Sequence, residues 1–303
     1  MALSIHTNYS SLVTQTNLTK SNNALGTNQQ RLGTGLRINS AADDAAGLQI
    51  ATRLNSQSRG MGVAMRNTND AVSMLQTAEG AFSEMTDILQ RMKDLSTQAA
   101  NATNSGADLI ALQAEYDELG KEVANIVQNT KFAGSNLFSN GTTTDGSAGK
   151  FSAAMTFQIG ASTAEKLTLD VSGKLTALAT ALGNASDTYT TPATPGVELA
   201  STQVATTAVN TNASANITVV ETALNAVGEL RALFGANINR LNHTNNNLAN
   251  MKDNTEMAKG RIMDADFASE SANMTKNSML MQSGISMLKQ AGQMPGMVMG
   301  LLG

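Results

Sequence analysis

The sequence predicts a mainly α fold, an elongated coiled-coil helical bundle formed by both termini with a small central β-hairpin region. Three observations predict it. Leu18, Leu25 and Leu32 recur at seven-residue intervals near the N-terminus, and Phe267, Met274, Met281 and Leu288 do the same near the C-terminus. Between Leu75 and Ile126 the apolar residues alternate spacings of three and four. Only the middle of the chain switches to strict apolar–polar alternation. A seven-residue apolar repeat makes a narrow stripe on a helix, and such a stripe is stable only against another helix. The chain ends are therefore the parts most strongly patterned for association.

The first helix is predicted over residues 3–36, with Leu18, Leu25 and Leu32 on one face. Gly33, Gly35, Asn39 and Ser40 loosen its end. Ser40-Ala41-Ala42-Asp43 then fits a capping box, and Asp44 adds a negative charge where a second long helix begins. Leu75, Ala78, Phe82, Met85, Leu89 and Met92 mark its buried face. Asn101 to Gly106 is a turn cluster. Leu109, Leu112, Tyr116, Leu119, Val123 and Ile126 then resume the helical spacing, which makes a helical hairpin.

After Asn129 the character changes. Asn140 to Gly149 is rich in Gly, Thr and Ser, and Phe157–Gly160 with Leu167–Val171 reads as a β-hairpin around residues 161–166. Residues 176–215 are rich in Thr, Ala, Ser and Asn and hold Pro192 and Pro195, the composition of a surface excursion with little core of its own. Helical pattern returns at Ile217 and runs through Val220, Leu224, Val227, Phe234, Ile238, Leu241 and Leu248, with Arg231 and Asn245 interrupting the stripe. The last arm starts at Asp264. Its Gly292, Gly296 and Gly300 share a helical face, which fits either close helix approach or a frayed tail, and Pro295 should kink or stop the helix. The predicted organisation is inner arms over 1–40 and 265–303, an outer core over 41–175 and 215–264 with the hairpin near 155–172, and a short variable excursion over 176–214. The arms fold back beside each other, and the middle lies at the far end of a rod.

Composition narrows the function. Aromatic residues are only 3% of the 303 and Trp is absent, so the 17 Met and the Leu supply the apolar surface, as suits long helices with thin cores. Charged residues are 15%, and a charge-poor surface repels copies of itself weakly. The net charge of −4, without a Lys/Arg cluster, argues against nucleic acid. With no cysteine, neither a disulfide nor a thiolate metal site is expected. The first ten residues lack the basic and apolar regions of a cleavable signal, and no stretch approaches a membrane span. By these signals alone the chain reads as cytoplasmic.

The block Arg31-Leu-Gly-Thr-Gly-Leu-Arg-Ile-Asn-Ser-Ala-Ala-Asp-Asp-Ala-Ala-Gly-Leu48 closely resembles the N-terminal signature of bacterial flagellins. So do Arg66-Asn-Thr-Asn-Asp70 and Gln76-Thr-Ala-Glu-Gly-Ala81. Arg261-Ile-Met-Asp-Ala-Asp-Phe-Ala-Ser-Glu270, followed by Asn273-Met274 and Gln290-Ala291, resembles the C-terminal signature. The resemblance covers about residues 1–175 and 215–303. It implies a structural subunit that self-assembles into the flagellar filament used for swimming motility, located outside the cell. It implies export of the unfolded chain by the flagellar type III system, a chaperone on the C-terminal arm, and cap and junction proteins as further partners. The polymer contacts are then expected on Leu18, Leu25, Leu32, Phe267, Met274, Met281 and Leu288. Head-to-tail contacts that do not close generate helical polymers.

By the same resemblance Arg91, Leu95 and Glu115 fall where the family carries residues bound by Toll-like receptor 5. Subunit packing accounts for the same trio. Some flagellins carry a metalloprotease motif, but here His6 and His243 stand far apart without a His-Glu-x-x-His sequence. Asp43/Asp44 and Asp264/Asp266 read as helix-start charges rather than catalytic pairs. No cofactor, metal or enzymatic activity is expected. Asn140-Gly-Thr142 is one of several chance Asn-x-Thr triplets, and O-linked sugars within 139–215 are a family trait that composition cannot locate. A hook–filament junction protein, or a secreted helical adhesin, is the alternative reading.

Overall fold

The computed structural model describes residues 8–199 and 209–300. Along the chain run α1 (Tyr9–Thr34), α2 (Ala45–Ala99), α3 (Gly106–Asn129), β1 (Lys131–Phe132), β2 (Ser135–Asn136), a 3-10 turn (Lys150–Ser152), β3 (Met155–Gln158), β4 (Lys166–Leu169), α4 (Ser172–Ala185), α5 (Asp187–Thr190), α6 (Val209–Met263) and α7 (Phe267–Gly300). Two compact units result: residues 1–59 with 252–303, and residues 60–251. These boundaries differ from the predicted 40/41 and 264/265. Residues 3–7 of the predicted first helix, and 200–208 of the predicted excursion, lie outside the described residues.

In the first unit α1 ends where Gly35 adopts φ +70° and donates its N–H to Arg31 O at 2.9 Å. A left-handed residue at this place closes the helix, and glycine takes that conformation without a Cβ penalty. The expected capping box at Ser40 does not form. Asp43 accepts from the N–H groups of Asn39 and Ser40 and so closes a turn before the helix. Asp44 is the residue that caps α2, accepting from Gly47 N at 2.8 Å.

The second unit holds the large core. Leu75, Ala78, Phe82, Met85, Leu89 and Met92 on α2 are all buried, as their spacing predicts. From α6 come Val220, Ala223, Val227, Leu230, Phe234 and Leu241. The buried face therefore runs through Ala223 and Leu230, while Leu224 lies only partly covered. The scarce rings are concentrated: Phe82 lies 4.8 Å from Phe138 and 5.5 Å from Phe234, and Phe151 lies 5.2 Å from Phe234 (centroid distances). Four of the seven phenylalanines thus form one cluster, with Phe138 and Phe151 stacked at 6.0 Å and the other pairs tilted, all within the separations at which aromatic rings attract. Arg231 and Asn245, which interrupt the stripe, make cross-helix polar contacts: Arg231 to Glu79 at 2.9 Å, and Asn245 Nδ2 to Asn69 Oδ1 at 2.9 Å.

The β-hairpin forms as expected, with Met155 opposite Leu169 and Phe157 opposite Leu167. Asn67 of α2 donates to Gln158 O and ties the hairpin to the bundle. The reading of 176–215 as an excursion with little core is corrected. Leu178, Ala181, Leu182 and Ala185 of α4, together with Tyr189 and Leu199, are buried in the main core. Tyr116 OH donates to Ala185 O at 2.6 Å and accepts from Asn216 Nδ2 at 2.8 Å, so α3, α4 and α6 meet on one phenol. Burial pushes that phenol's pKa well above its ordinary value.

Candidate functional site

The terminal helices α1 and α7 pair antiparallel. At one end Asn8 caps α1, accepting from Ser11 N, and donates its Nδ2 to Ala291 O at 2.7 Å. At the other end Arg31 Nη1 meets Glu270 Oε1 at 3.1 Å. Between them a Cβ placed on Gly284 would lie 3.1 Å from Leu18 Cδ1, so the leucine covers the glycine closely. Propagated along both helices, this register sets Ser21 near Met281, Leu25 near Asn277, and Asn28 near Met274. Each large residue meets a small or polar one, which lets two helices with few large side chains pack closely.

Leu18, Leu25, Leu32, Met274, Met281 and Leu288 all lie on the partly covered seam, as their spacing predicts. Phe267 does not: it is 59% exposed, and the α7 seam begins at Glu270 instead. The polar seam positions Asn28 and Glu270, both more than nine-tenths buried, are invisible to an apolar count. The arms also carry apolar side chains on their outer surfaces. Tyr9 is 67% exposed and Met287 61%, and Leu12, Met279, Leu280 and Ile285 are exposed with them. Large apolar side chains left bare on both arms mark the pair as a surface for association. The helix α7 continues through Pro295 to Gly300, so the proline does not stop it. The close-approach reading at Gly296 and Gly300 falls on residues whose packing lies outside the described side chains.

Beyond α1 the chain crosses to the start of α7. Leu36 pairs with Asp264 in an antiparallel bridge. Arg37 N donates to Met263 O at 2.6 Å, Arg37 Nη2 to Ile262 O at 2.9 Å, and Ala265 N to Gly35 O at 2.9 Å. The two resembling blocks, distant in sequence, are therefore one piece of structure. Asp266 starts α7 by accepting from Ala268 N at 2.9 Å. The Ser269 hydroxyl, then the Ala268 N–H, hold its carboxyl below the usual range, and the N–H groups of Ser40 and Asn39 do the same for Asp43.

On the other unit Arg91 donates from Nε and Nη2 to Glu115 Oε1 at 2.8 and 2.6 Å, and this pair is solvent-exposed. Leu95 is 0% exposed and belongs to the core. Its side chain is covered, whereas Arg91 and Glu115 are exposed, so of the three residues expected by resemblance to meet the receptor only Arg91 and Glu115 lie on the surface.

Paired ends with bare apolar outer surfaces define a helical subunit built for self-assembly. The chain belongs to the bacterial flagellin family: it matches the bacterial flagellin N-terminal helical region over residues 5–144 and the C-terminal helical region over 217–302. It is 35% identical to flagellin A of Vibrio anguillarum over 389 aligned positions and 36% identical to flagellin C of Vibrio cholerae over 387, each alignment covering all of both chains. Among solved structures, Bacillus cereus flagellin aligns with a TM-score of 0.45 and 30% identity, covering 60% of this chain and 88% of that one. The chain is a structural subunit of the bacterial flagellar filament.

Proposed function

We propose that α1 and α7 supply the polymer contacts, with Leu18, Leu25, Leu32, Met274, Met281 and Leu288 holding the pair together and Phe267 meeting a neighbouring copy. The observation that carries this is the bare apolar surface of the pair, Tyr9, Leu12, Phe267, Ile285 and Met287 above all. At about 25 cal/mol per Å² of apolar surface, covering such side chains on each subunit favours a stable polymer. The chain travels unfolded through the flagellar type III export system to the extracellular filament, its C-terminal arm held beforehand by a chaperone, and it folds at the tip under a cap protein above the junction proteins. The absence of cysteine and the charge-poor arms suit that route. Its role is structural rather than catalytic. Elongation of short filament seeds, followed by electron microscopy, tests the polymer reading: the full chain elongates seeds, and a chain stripped of residues 1–40 and 265–303 does not. Elongation by the stripped chain refutes it.

The exposed Arg91–Glu115 pair supports recognition of free subunits by Toll-like receptor 5. Leu95 then acts by holding the helix in place beneath that surface. Receptor activation by the Arg91→Ala subunit tests this, and undiminished signalling refutes it.

A further inference from the structure

The apolar seam between α1 and α7 is nearly degenerate. Leu18, Leu25 and Leu32 repeat every seven residues, and so do Met274, Met281 and Leu288. A slip of one heptad puts leucines of α1 back where leucines were, and a methionine or the leucine of α7 where a methionine was. Packing alone therefore discriminates poorly between registers. One layer breaks the repeat. Arg31 and Glu270 form an ion pair, and Asn28 lies one turn away on α1. A slip of one heptad either sets Glu270 beside Leu25, with no cation, or carries it past the end of α1.

This layer is also poorly satisfied. Asn28 Nδ2, Arg31 Nε and Glu270 Oε2 are buried without a hydrogen-bond partner. The Glu270 side chain is mostly covered and that of Arg31 partly so. A partly buried charged pair with such orphaned atoms is a poor source of stability, and well-packed apolar residues in its place are commonly as stable or more so. The neighbouring Leu36–Asp264 bridge is made by backbone groups, and Arg37 Nη2 and Asn8 Nδ2 likewise reach only backbone carbonyls, of Ile262 and Ala291. Any residues at the accepting places would supply these, so they hold a register without reading the seam. We propose that Asn28, Arg31 and Glu270 are the register-determining residues of the arm pair, retained for specificity at a cost in stability. The inference rests on the α1–α7 pairing and goes beyond the polymer reading.

The chain's lack of cysteine makes the test direct. Full-length filaments carrying Ser21→Cys with Met281→Cys report the native register by disulfide formation. Ser21→Cys with Met274→Cys, or with Leu288→Cys, reports the slipped ones. In the native background only the first pair closes. In the background of Asn28→Leu, Arg31→Met and Glu270→Leu together, the yield of slipped pairs rises about tenfold and the midpoint of thermal depolymerisation rises by several degrees. Glu270→Leu alone lowers that midpoint, because the partly covered Arg31 guanidinium, with its Nε buried, is left beside no anion. Crosslinking that stays confined to the native pair in the triple variant overturns the proposal. So does a triple variant that melts earlier or no longer assembles.

Discussion

Leu36 and Asp264 face each other in an isolated antiparallel bridge, and this contact welds the end of the first arm to the start of the last. On either side of it Asp43 and Asp266 close their turns with carboxyls held below the usual range by hydrogen bonds. A carboxylate with a depressed folded-state pKa adds stability that is complete above its ordinary value and is lost as pH falls through the folded one. Acidification below the ordinary carboxylate range should therefore release subunits from filaments. Sedimentation across a pH series measures it. Asp266→Asn filaments should be weaker at neutral pH and less sensitive to acid; an unchanged acid response would remove this junction from the account.

Gly284 lies under Leu18, and the two residues predict opposite outcomes for small and large substitutions. Gly284→Ala should be neutral or stabilising, since alanine favours the helix by about 1 kcal/mol and the methyl meets only the flexible end of Leu18. Gly284→Leu should cost about 1–3 kcal/mol through overpacking. Thermal depolymerisation of the two variants gives the comparison, and equal midpoints would mean that the seam is not closely packed there.

Arg91 and Leu95 should separate recognition from stability. Arg91→Ala removes half of an exposed ion pair and should change unfolding stability by under about 1 kcal/mol. Leu95→Ala empties a core position and should cost about 2–5 kcal/mol. Urea unfolding measures both. Receptor signalling lost in Arg91→Ala subunits of normal stability would belong to the surface itself.

Residues 191–199 are strapped onto α3 by acidic groups. Gln113 Nε2 donates to Asp117 at 2.8 Å and to Glu198 at 2.7 Å, and Asp117 also accepts from Gly196 N. Burial, and to a lesser degree the Asp187 charge, raise the Glu198 pKa above its ordinary value. A carboxyl raised in this way favours the folded strap at low pH, and that contribution fades as pH rises through the folded value. Protection of this segment from hydrogen exchange, corrected for the intrinsic rates, should therefore be greater in acid than at neutral pH. Protection that is lower in acid contradicts the assignment.

How much of this was legible in the sequence depends on which residues made the pattern. The helical hairpin of α2 and α3 was legible because Leu75 to Met92 and Leu109 to Ile126 keep strict helical spacing. Ser40-Ala-Ala-Asp43 and Ser105-Gly-Ala-Asp108 carry the same cap pattern, yet only the second forms the reciprocal box. At the first, Asp44 reaches Gly47 N and starts the helix later. The α4 core was hidden because alanines between Leu175, Leu178 and Leu182 resemble a low-complexity stretch. Leu95 follows Met92 by three residues and so continues the buried stripe of α2, a placement that the resemblance to receptor-bound residues does not reveal. Glu270 and Asn28 could have been found only by asking which polar residues fall in phase with the heptads.

A helical reconstruction of the native filament by electron cryomicroscopy tests the central claim most directly. The account predicts that Tyr9, Leu12, Phe267, Ile285 and Met287, bare in the single chain, are covered by α1 and α7 of neighbouring subunits. Finding those side chains in solvent, with the subunits joined through other surfaces, would contradict it.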